Sequence, residues 1–150
     1  MVAPFTYNFF GHPEFIFNLS GSVGLNGANK SEDVQFIQFA FKILARRSPF
    51  AELNAAIKSI AVGEPCTGRE GDKLVTAIRA YQKCRAGLTA DGKINLVPAN
   101  TNGKLYTIYA INMDLVVEEG VDYPRVDRVS GCPALVKQAI RDIFHDTKGD

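Results

Sequence analysis

The sequence predicts a single, mainly α-helical domain, and three observations support this prediction. The chain has 150 residues, enough for one domain that buries its own core without disulfides or metal. Apolar residues recur at helical spacing in five segments, and glycine or proline stands near the ends of most of them. The apolar content of 46% is ordinary for a folded globular protein, so a compact core is expected.

The first 21 residues are rich in aromatic residues and are interrupted by prolines and glycines. Phe15, Ile16 and Phe17 predict either a short strand or an extended arm. A free arm with so many aromatic residues would be poorly soluble. We therefore expect this arm to pack on the body of the domain.

A tight bend is predicted between this arm and the first helix. Gly24 and Gly27 permit positive φ, and Asn26 and Asn29 tolerate it better than most residues. These four residues therefore predict a turn of the chain.

The first helix is predicted over residues 31–46, and Pro49 prevents its continuation. Ser31 is expected to be the N-cap, and Glu32 and Asp33 place negative charge in the first turn, where the helix dipole favours it. The apolar stripe comprises Val34, Ile37, Phe41 and Leu44, widened by Phe36, Ala40 and Ile43. The polar side comprises Gln35, Gln38 and Lys42.

Two further helices follow. The second is predicted over residues 50–62 and is ended by Gly63 and Pro65. The third begins near Asp72 and ends before Gly87. Its buried stripe comprises Leu74, Ala77, Ile78 and Tyr81.

The remaining chain is expected to contain a turn and two more helices. Asp91 and Gly92 form a strong turn signal. A fourth helix is predicted over residues 102–115, with Thr101 or Asn102 as its cap. The stretch that follows alternates acids, bases and valines as far as residue 130, which predicts a short strand or hairpin. A final helix is expected to begin near Pro133.

The charge balance excludes one class of partner. The formal net charge is +1, so the chain lacks the basic footprint of a nucleic-acid-binding protein.

No apolar run approaches the roughly 18 residues that a membrane span requires. The first ten residues have no basic region and no small-residue cleavage site, so no signal peptide is predicted. The location stays open between the cytoplasm, export by a route that needs no cleaved signal, and a sequence that starts after its signal.

The cysteines and histidines do not predict an active site. Cys66, Cys84 and Cys132 form no close pair, so no zinc or redox motif is indicated. One disulfide is compatible with the count, but the sequence does not choose the pair, and free thiols are favoured. His12 and His145 are far apart in the sequence and stand beside no cysteine that is marked as a nucleophile. No metal, cofactor or catalytic residue is therefore predicted.

A carboxylate pair of the glycoside hydrolase type is a weaker alternative. Glu118, Glu119 and Asp122 are local candidates. They share a charged stretch with Arg125, Asp127 and Arg128, and such a stretch favours a solvated surface. The sequence therefore favours a binding protein over an enzyme.

Three sequence blocks follow one another in a distinctive order. The first is a VGxxGxN turn, then an acid and valine, then a glutamine inside the first helix, formed by Val23, Gly24, Gly27, Asn29, Asp33, Val34 and Gln38. The second is a glycine and a helix that ends in AIxxF/YQ, formed by Gly71, Ala77, Ile78, Tyr81 and Gln82. The third is DGxI, a proline, and a threonine and leucine that open the last helix, formed by Asp91, Gly92, Ile94, Pro98, Thr101 (one place early) and Leu105. In this order the three blocks resemble the peptidoglycan-binding-like superfamily.

The resemblance covers residues 22–46 and 71–106 and implies a mainly α fold, with a three-helix core, an inserted helix and a C-terminal helix. The core would span residues 22–115, with an insertion at about 47–70, and residues 116–150 would form a C-terminal extension. Leu74 departs from the family pattern, which commonly has threonine there.

The resemblance implies non-catalytic binding of bacterial peptidoglycan or muropeptides, which would anchor this protein or an associated effector or hydrolase at the cell wall. The alternative is a protein-interaction module on the same fold, such as a secretion-system component, an adaptor or an inhibitor of a wall-directed enzyme. Its partner would bind the N-terminal arm or the insertion. A small wall hydrolase is a weaker alternative. Candidate ligand-binding residues are Asn26, Asn29, Tyr81 and Tyr106, which supply aromatic faces and amides. Tyr81 is also interpretable as a core residue, and the two asparagines as turn formers.

Overall fold

The computed structural model describes residues 3–9, 12–98 and 104–145, and side chains from residue 15 onward within these ranges. Five α-helices dominate this part of the chain: α1 Ser31–Ala45, α2 Ala51–Lys58, α3 Lys73–Lys83, α4 Thr107–Glu119 and α5 Ala134–Ile143. The strands are β1 Ala3–Phe9, β2 His12–Asn18, β3 Val23–Gly24 and β4 Lys93–Ile94. The predicted mainly helical class is confirmed.

Helix α1 lies at the centre and packs against α2, α4 and α5. Its apolar residues surround the helix instead of forming one stripe, as expected for a helix that is covered on all sides. Phe36, Ile37 and Phe41 are completely buried. Each such side chain contributes about 1.5–3 kcal/mol by leaving water, so α1 organises the core.

The start of α1 differs from the prediction. Lys30, and not Ser31, is the N-cap residue, and it makes no side-chain capping bond. Asp33 is buried, and its carboxylate accepts hydrogen bonds from the Ser20 N–H at 3.3 Å, the Ser20 hydroxyl at 2.9 Å and the Gly21 N–H at 3.2 Å. The acid therefore satisfies donors of the segment after β2.

The aromatic N-terminal segment packs on the body, as expected, and residues 15–17 belong to a strand. β1 and β2 pair as an antiparallel hairpin, with Phe5 opposite Ile16. The buried side chain of Asn112 on α4 holds β2 in place. It accepts from the Phe17 N–H at 2.8 Å and donates to the Phe17 carbonyl at 3.0 Å. The Asn112 amide thus makes the two backbone hydrogen bonds to Phe17 that a neighbouring strand would otherwise make.

The two predicted turns meet in a second small sheet. β3 and β4 are antiparallel, with Gly24 opposite Lys93. Positive φ is confirmed at Asn26 and Asn29. A Cβ atom on Gly24 would lie 2.2 Å from the Gly92 carbonyl oxygen, so the close approach of the two turns requires glycine at position 24.

The insertion forms a shorter helix than predicted. α2 ends at Lys58, because the carbonyl of Ile57 accepts from the Ile60 N–H at 3.0 Å and from the Lys42 ammonium at 2.8 Å. The polar position predicted for Gln38 is wrong, because this side chain is buried. Its amide accepts from the Gly63 N–H at 2.9 Å and fixes the loop after α2.

The third helix begins as predicted, with Asp72 as its N-cap. The Asp72 carboxylate accepts from the N–H groups of Leu74 and Val75, at 2.8 and 3.3 Å. The same carboxylate accepts from the backbone and hydroxyl of Thr67, at 2.9 and 3.0 Å. It therefore closes the end of the insertion loop as well as the helix.

The fourth helix begins later than predicted, at Thr107, and the proposed caps Thr101 and Asn102 lie outside the described residues. The strand or hairpin predicted after residue 115 is wrong. The helix continues to Glu119 and is followed by two 3₁₀ turns, Gly120–Asp122 and Val126–Arg128. The alternation of valines and charges after residue 115 reflects the exposed end of this helix, where Val116 and Val117 face solvent. The final helix starts just after Pro133, as expected.

Candidate functional site

The four candidate ligand-binding residues lie in three different places. Tyr106 lines a polar cleft, Asn29 lines a smaller cavity, and Tyr81 lines a third. Asn26 is exposed in the turn after β3, where its N–H donates to the Gly68 carbonyl at 2.8 Å. The structure therefore does not combine them into one site.

Asn29 is engaged within its own turn. Its side-chain oxygen accepts from the Gly24 N–H at 2.7 Å. Its side-chain nitrogen donates to the carbonyls of Gly24 and Gly27, at 3.0 and 3.2 Å. These bonds favour the turn-forming interpretation, because the Asn29 amide bonds to backbone atoms of its own turn.

Tyr81 is a core residue that is 2% exposed. Its hydroxyl donates to Asp114 Oδ2 at 2.6 Å, and its ring packs against Phe41 with centroids 5.6 Å apart. Burial, and secondarily the charge of Asp114, raises the pKa of Tyr81 far above its usual value. These contacts favour the structural interpretation of this tyrosine.

Tyr106 stands in different surroundings. It is half-buried beside a cleft of about 260 Å³ between the turn around Gly92 and the start of α4. We call this the Tyr106 cleft. Its lining comprises Gln82, Gly87, Leu88, Thr89, Asp91, Lys93, Asn95, Lys104, Leu105, Tyr106 and Thr107.

The buried amide of Gln82 forms the floor of the Tyr106 cleft. Its oxygen accepts from the Gly92 N–H at 2.9 Å. Its nitrogen lies within reach of Asp91 Oδ1, the Lys93 carbonyl and the Thr107 hydroxyl, at 3.1, 3.0 and 3.2 Å. This one side chain joins the turn to the first residue of α4, so the shape of the cleft depends on it.

The charges of the Tyr106 cleft favour a ligand with an anionic group. Lys93 and Lys104 supply two cations, and the first turn of α4 adds partial positive charge. Asp91 is the opposing acid, and its Oδ1 already accepts from the Lys93 N–H at 3.0 Å. The Lys104 ammonium lies 5.2 Å from the centroid of the Tyr106 ring. The ammonium therefore lies over the aromatic face.

The thiols are not activated nucleophiles. All three are free. Burial raises the pKa of Cys66 to about 11 and that of Cys132 to about 12, and it also raises the pKa of Cys84. Because the thiolate is the reactive form, these cysteines are protonated at neutral pH. His145 is exposed, and the side chain of His12 lies outside the described part.

The acids considered for catalysis are mostly ion-paired. Glu118 Oε2 lies 3.8 Å from Arg47 Nε, and Glu119 pairs with Arg46. The solvated surface predicted for this stretch is wrong at Asp127, which is buried against the guanidinium of Arg125, with Nη2 to Oδ2 at 2.8 Å. Among the described residues, no cluster of three or more His, Cys, Asp or Glu side chains could hold a metal ion.

Comparisons with protein-family models, curated proteins and solved structures found no match for this chain. The structure by itself defines a mainly helical protein with a polar, cation-bearing cleft. No helix in the described ranges is both long and apolar enough to cross a membrane.

Sequence reasoning singled out Tyr106 but not the residues around it. The sequence motif contains Gln82 without giving it a role in a cleft, and no motif includes Lys93 or Lys104. A usable signal is that Lys93 directly follows the Asp91-Gly92 turn, whose tight bend places its neighbours at a cleft rim.

Proposed function

We propose that this protein binds bacterial peptidoglycan fragments, without cleaving them, through the Tyr106 cleft. The observation that carries the proposal is the pairing of a half-buried aromatic ring with two lysines in a polar cleft of about 260 Å³. An aromatic ring suits the apolar face of a pyranose, and lysines suit the carboxylates of a peptide stem.

The arrangement of the motif residues supports a peptidoglycan-binding-like core. The first and third blocks meet in the β3–β4 ladder. The motif glutamines Gln38 and Gln82 are buried, and each fixes a loop through its side chain. These motif residues thus stabilise turns and loops of this chain. Such a structural role is expected if the shared motif reflects a shared fold.

Recognition by the Tyr106 cleft would combine two contacts. A sugar ring would stack on Tyr106, displacing the Lys104 ammonium from the ring. A cation–π contact at a partly exposed site contributes about 0.5–1 kcal/mol, which stacking of the sugar on the same ring would have to exceed. Lys93 at the rim of the cleft would then pair with a carboxylate of the stem.

Co-sedimentation of the whole chain with purified insoluble peptidoglycan tests the proposal. We expect the protein to pellet with the wall and Tyr106→Ala to weaken binding by about fivefold or more, the equivalent of roughly 1 kcal/mol. Phe50→Ala is the matched control, because Phe50 is an exposed aromatic outside the cleft. A wild-type protein that stays in the supernatant overturns the proposal, and release of soluble muropeptides would indicate a hydrolase.

A second candidate function is a protein-interaction module. The observation that favours it is a separate apolar groove between the insertion and the C-terminal half of α4, with Phe50 and Val117 exposed at its edge. We call it the insertion groove. Wall binding has no need of this groove.

A further inference from the structure

An asparagine–glycine pair, Asn26 and Gly27, lies in the turn after β3. In such a pair the backbone nitrogen of the glycine readily attacks the asparagine side chain, because glycine has no Cβ to shield that nitrogen. The sequence holds a second pair, Asn102 and Gly103, outside the described residues. For the first pair, the surroundings of Asn26 decide whether the reaction is open to it.

The fold constrains both members of the pair. A Cβ atom on Gly27 would lie 2.9 Å from the Ser22 carbonyl oxygen and 3.2 Å from the Gly24 nitrogen, so a larger residue would clash with the backbone. Asn26 has a φ of 53°, in the left-handed region that asparagine tolerates better than most residues. The turn therefore requires glycine at position 27 and favours asparagine at position 26.

The side-chain amide of Asn26 is available for reaction. Asn26 is exposed, and its side chain makes no hydrogen bond within the described part of the chain. Its backbone N–H donates to the Gly68 carbonyl at 2.8 Å. Asn29 in the same turn is the opposite case, because its amide makes three hydrogen bonds to the backbone and Lys30 follows it. The two asparagines thus differ in both conditions for the reaction.

One contact of the turn opposes the reaction. The Gly27 N–H donates to the Gly24 carbonyl at 3.0 Å, and the nitrogen must leave this bond before it attacks. The net strength of such a bond corresponds to a factor of about ten in an equilibrium constant. Surface turns also open locally far more readily than the whole fold unfolds. The turn therefore slows the attack without preventing it.

We propose that Asn26 is a modification site at which the folded protein deamidates spontaneously. The Gly27 nitrogen forms a bond to Cγ of Asn26, and the bond from Cγ to the side-chain nitrogen breaks. The Gly27 N–H proton leaves with that nitrogen as ammonia, and a cyclic succinimide remains. Water then adds across a C–N bond of the ring, at either of its two carbonyls, and gives aspartate or isoaspartate. No oxidant or reductant is needed.

The two products have different consequences. Aspartate keeps the backbone and adds one negative charge, which lowers the formal net charge from +1 to zero. Isoaspartate also lengthens the backbone by one carbon before Gly27. Because Gly27 is packed closely against Ser22, the longer chain would break its bond to the Gly24 carbonyl. Isoaspartate would therefore loosen the turn, whereas aspartate would leave its backbone bonds in place.

The test is incubation of the folded full chain at mildly alkaline pH, followed by trypsin digestion and tandem mass spectrometry. Trypsin cleaves after Lys30, so Asn26 and Asn29 lie on one peptide and are distinguished by its fragment ions. Asn102 and Gly103 lie on another peptide and do not interfere. We expect Asn26 to convert about tenfold or more faster than Asn29, because the Asn29 amide must first break its hydrogen bonds.

Two variants serve as controls. Asn26→Gly removes the amide and retains a residue suited to positive φ, so the modified peptide should disappear while the fold persists. Asn26→Asp supplies the aspartate product as a chromatographic standard. A second peak of the same mass in the wild type is then isoaspartate, which only the cyclic route produces.

Four results would overturn the proposal. One is conversion of Asn26 no faster than that of Asn29 in the folded chain. The second is a rate in urea more than about a hundredfold above the folded-state rate, which would show that the turn protects the pair. The third is aspartate without isoaspartate, which would indicate direct hydrolysis. The fourth is a modified peptide that persists in Asn26→Gly. None of these measurements involves peptidoglycan, so their outcome is independent of the proposed function.

Discussion

The Tyr106 cleft and the insertion groove lie at opposite ends of the same helix, α4, and are built by different forces. The cleft is held by one buried amide, Gln82, and its side chains are mostly polar. The groove is a gap in apolar packing. Its buried polar atom Glu118 Oε2 makes no hydrogen bond among the described residues and lies 3.8 Å from Arg47 Nε. The cleft is therefore expected to depend on hydrogen bonds, and the groove on packing.

The largest expected effect is on the packing beneath the groove. Phe41→Ala removes a fully buried ring that contacts Tyr81 and should lower the free energy of unfolding by about 3–5 kcal/mol. Urea unfolding followed by far-UV circular dichroism measures this. Phe36→Ala is the matched control, because Phe36 is equally buried but contacts Phe17 on the hairpin side. Both variants should lose similar stability, and only Phe41→Ala should change the NMR shifts of the backbone amides that line the groove. Equal effects on the groove would show that its shape does not depend on the local packing.

The next effect concerns the amide beneath the cleft. Gln82→Ala leaves the Gly92 N–H and the Thr107 hydroxyl without their partner and should cost about 2–4 kcal/mol. Gln38→Ala is the matched control, since Gln38 is equally buried but fixes the loop after α2. Both variants should be less stable in urea, and only Gln82→Ala should weaken peptidoglycan binding. If Gln38→Ala weakens it as much, the cleft is not the binding site.

A smaller, pH-dependent effect is expected at Asp72, which closes the insertion loop. Burial opposes its ionisation, but hydrogen bonds from Thr67, Val75 and Leu74 outweigh burial and hold the pKa of this carboxyl below its usual 3.8. A lowered folded-state pKa means that the carboxylate stabilises the fold above pH 3.8 and that this stabilisation is lost as pH falls through the folded-state pKa.

Asp72→Ala should therefore lose about 1 kcal/mol of stability at pH 7, mainly the N-cap contribution. The difference from the wild type should shrink as pH falls below 4, measured by urea unfolding at several pH values. A difference that stays constant across this range would contradict the assignment. Asp72→Asn retains a good cap and separates the capping from the charge.

Helix α3 was predictable because its apolar periodicity agrees with its packing, whereas α1 is buried on more faces than the predicted stripe. Positive φ at Asn26 and Asn29 was predictable from local turn chemistry alone. The end of α4 was not, because the alternating valines and charges after residue 115 are compatible with a strand, and the helix continues through contacts that are distant in sequence. The pairing of Arg46 with Glu119 is one such contact.

The candidate site was less predictable than the fold. Tyr106 was identified from its residue type, but the cleft exists because Gln82 joins residues 91–93 to Thr107. Buried amides of this kind cannot be distinguished from surface glutamines by periodicity, as the error at Gln38 demonstrates. The sequence presents Glu118 as a candidate catalytic acid. That its Oε2 is buried without a hydrogen bond depends on residues distant in the sequence, so the local sequence does not reveal it.

The smallest effect, and the sharpest contrast between the two regions, is expected at Glu118. Glu118→Leu removes an unsatisfied buried oxygen and an acid in the last turn of α4, and it loses only a long ion pair with an exposed arginine. Replacing a poorly satisfied buried charge by an apolar group is often neutral or stabilising, so we expect a gain of about 0.5 kcal/mol in urea unfolding. A loss of stability would show instead that the carboxylate supports the end of α4 through its ion pair with Arg47.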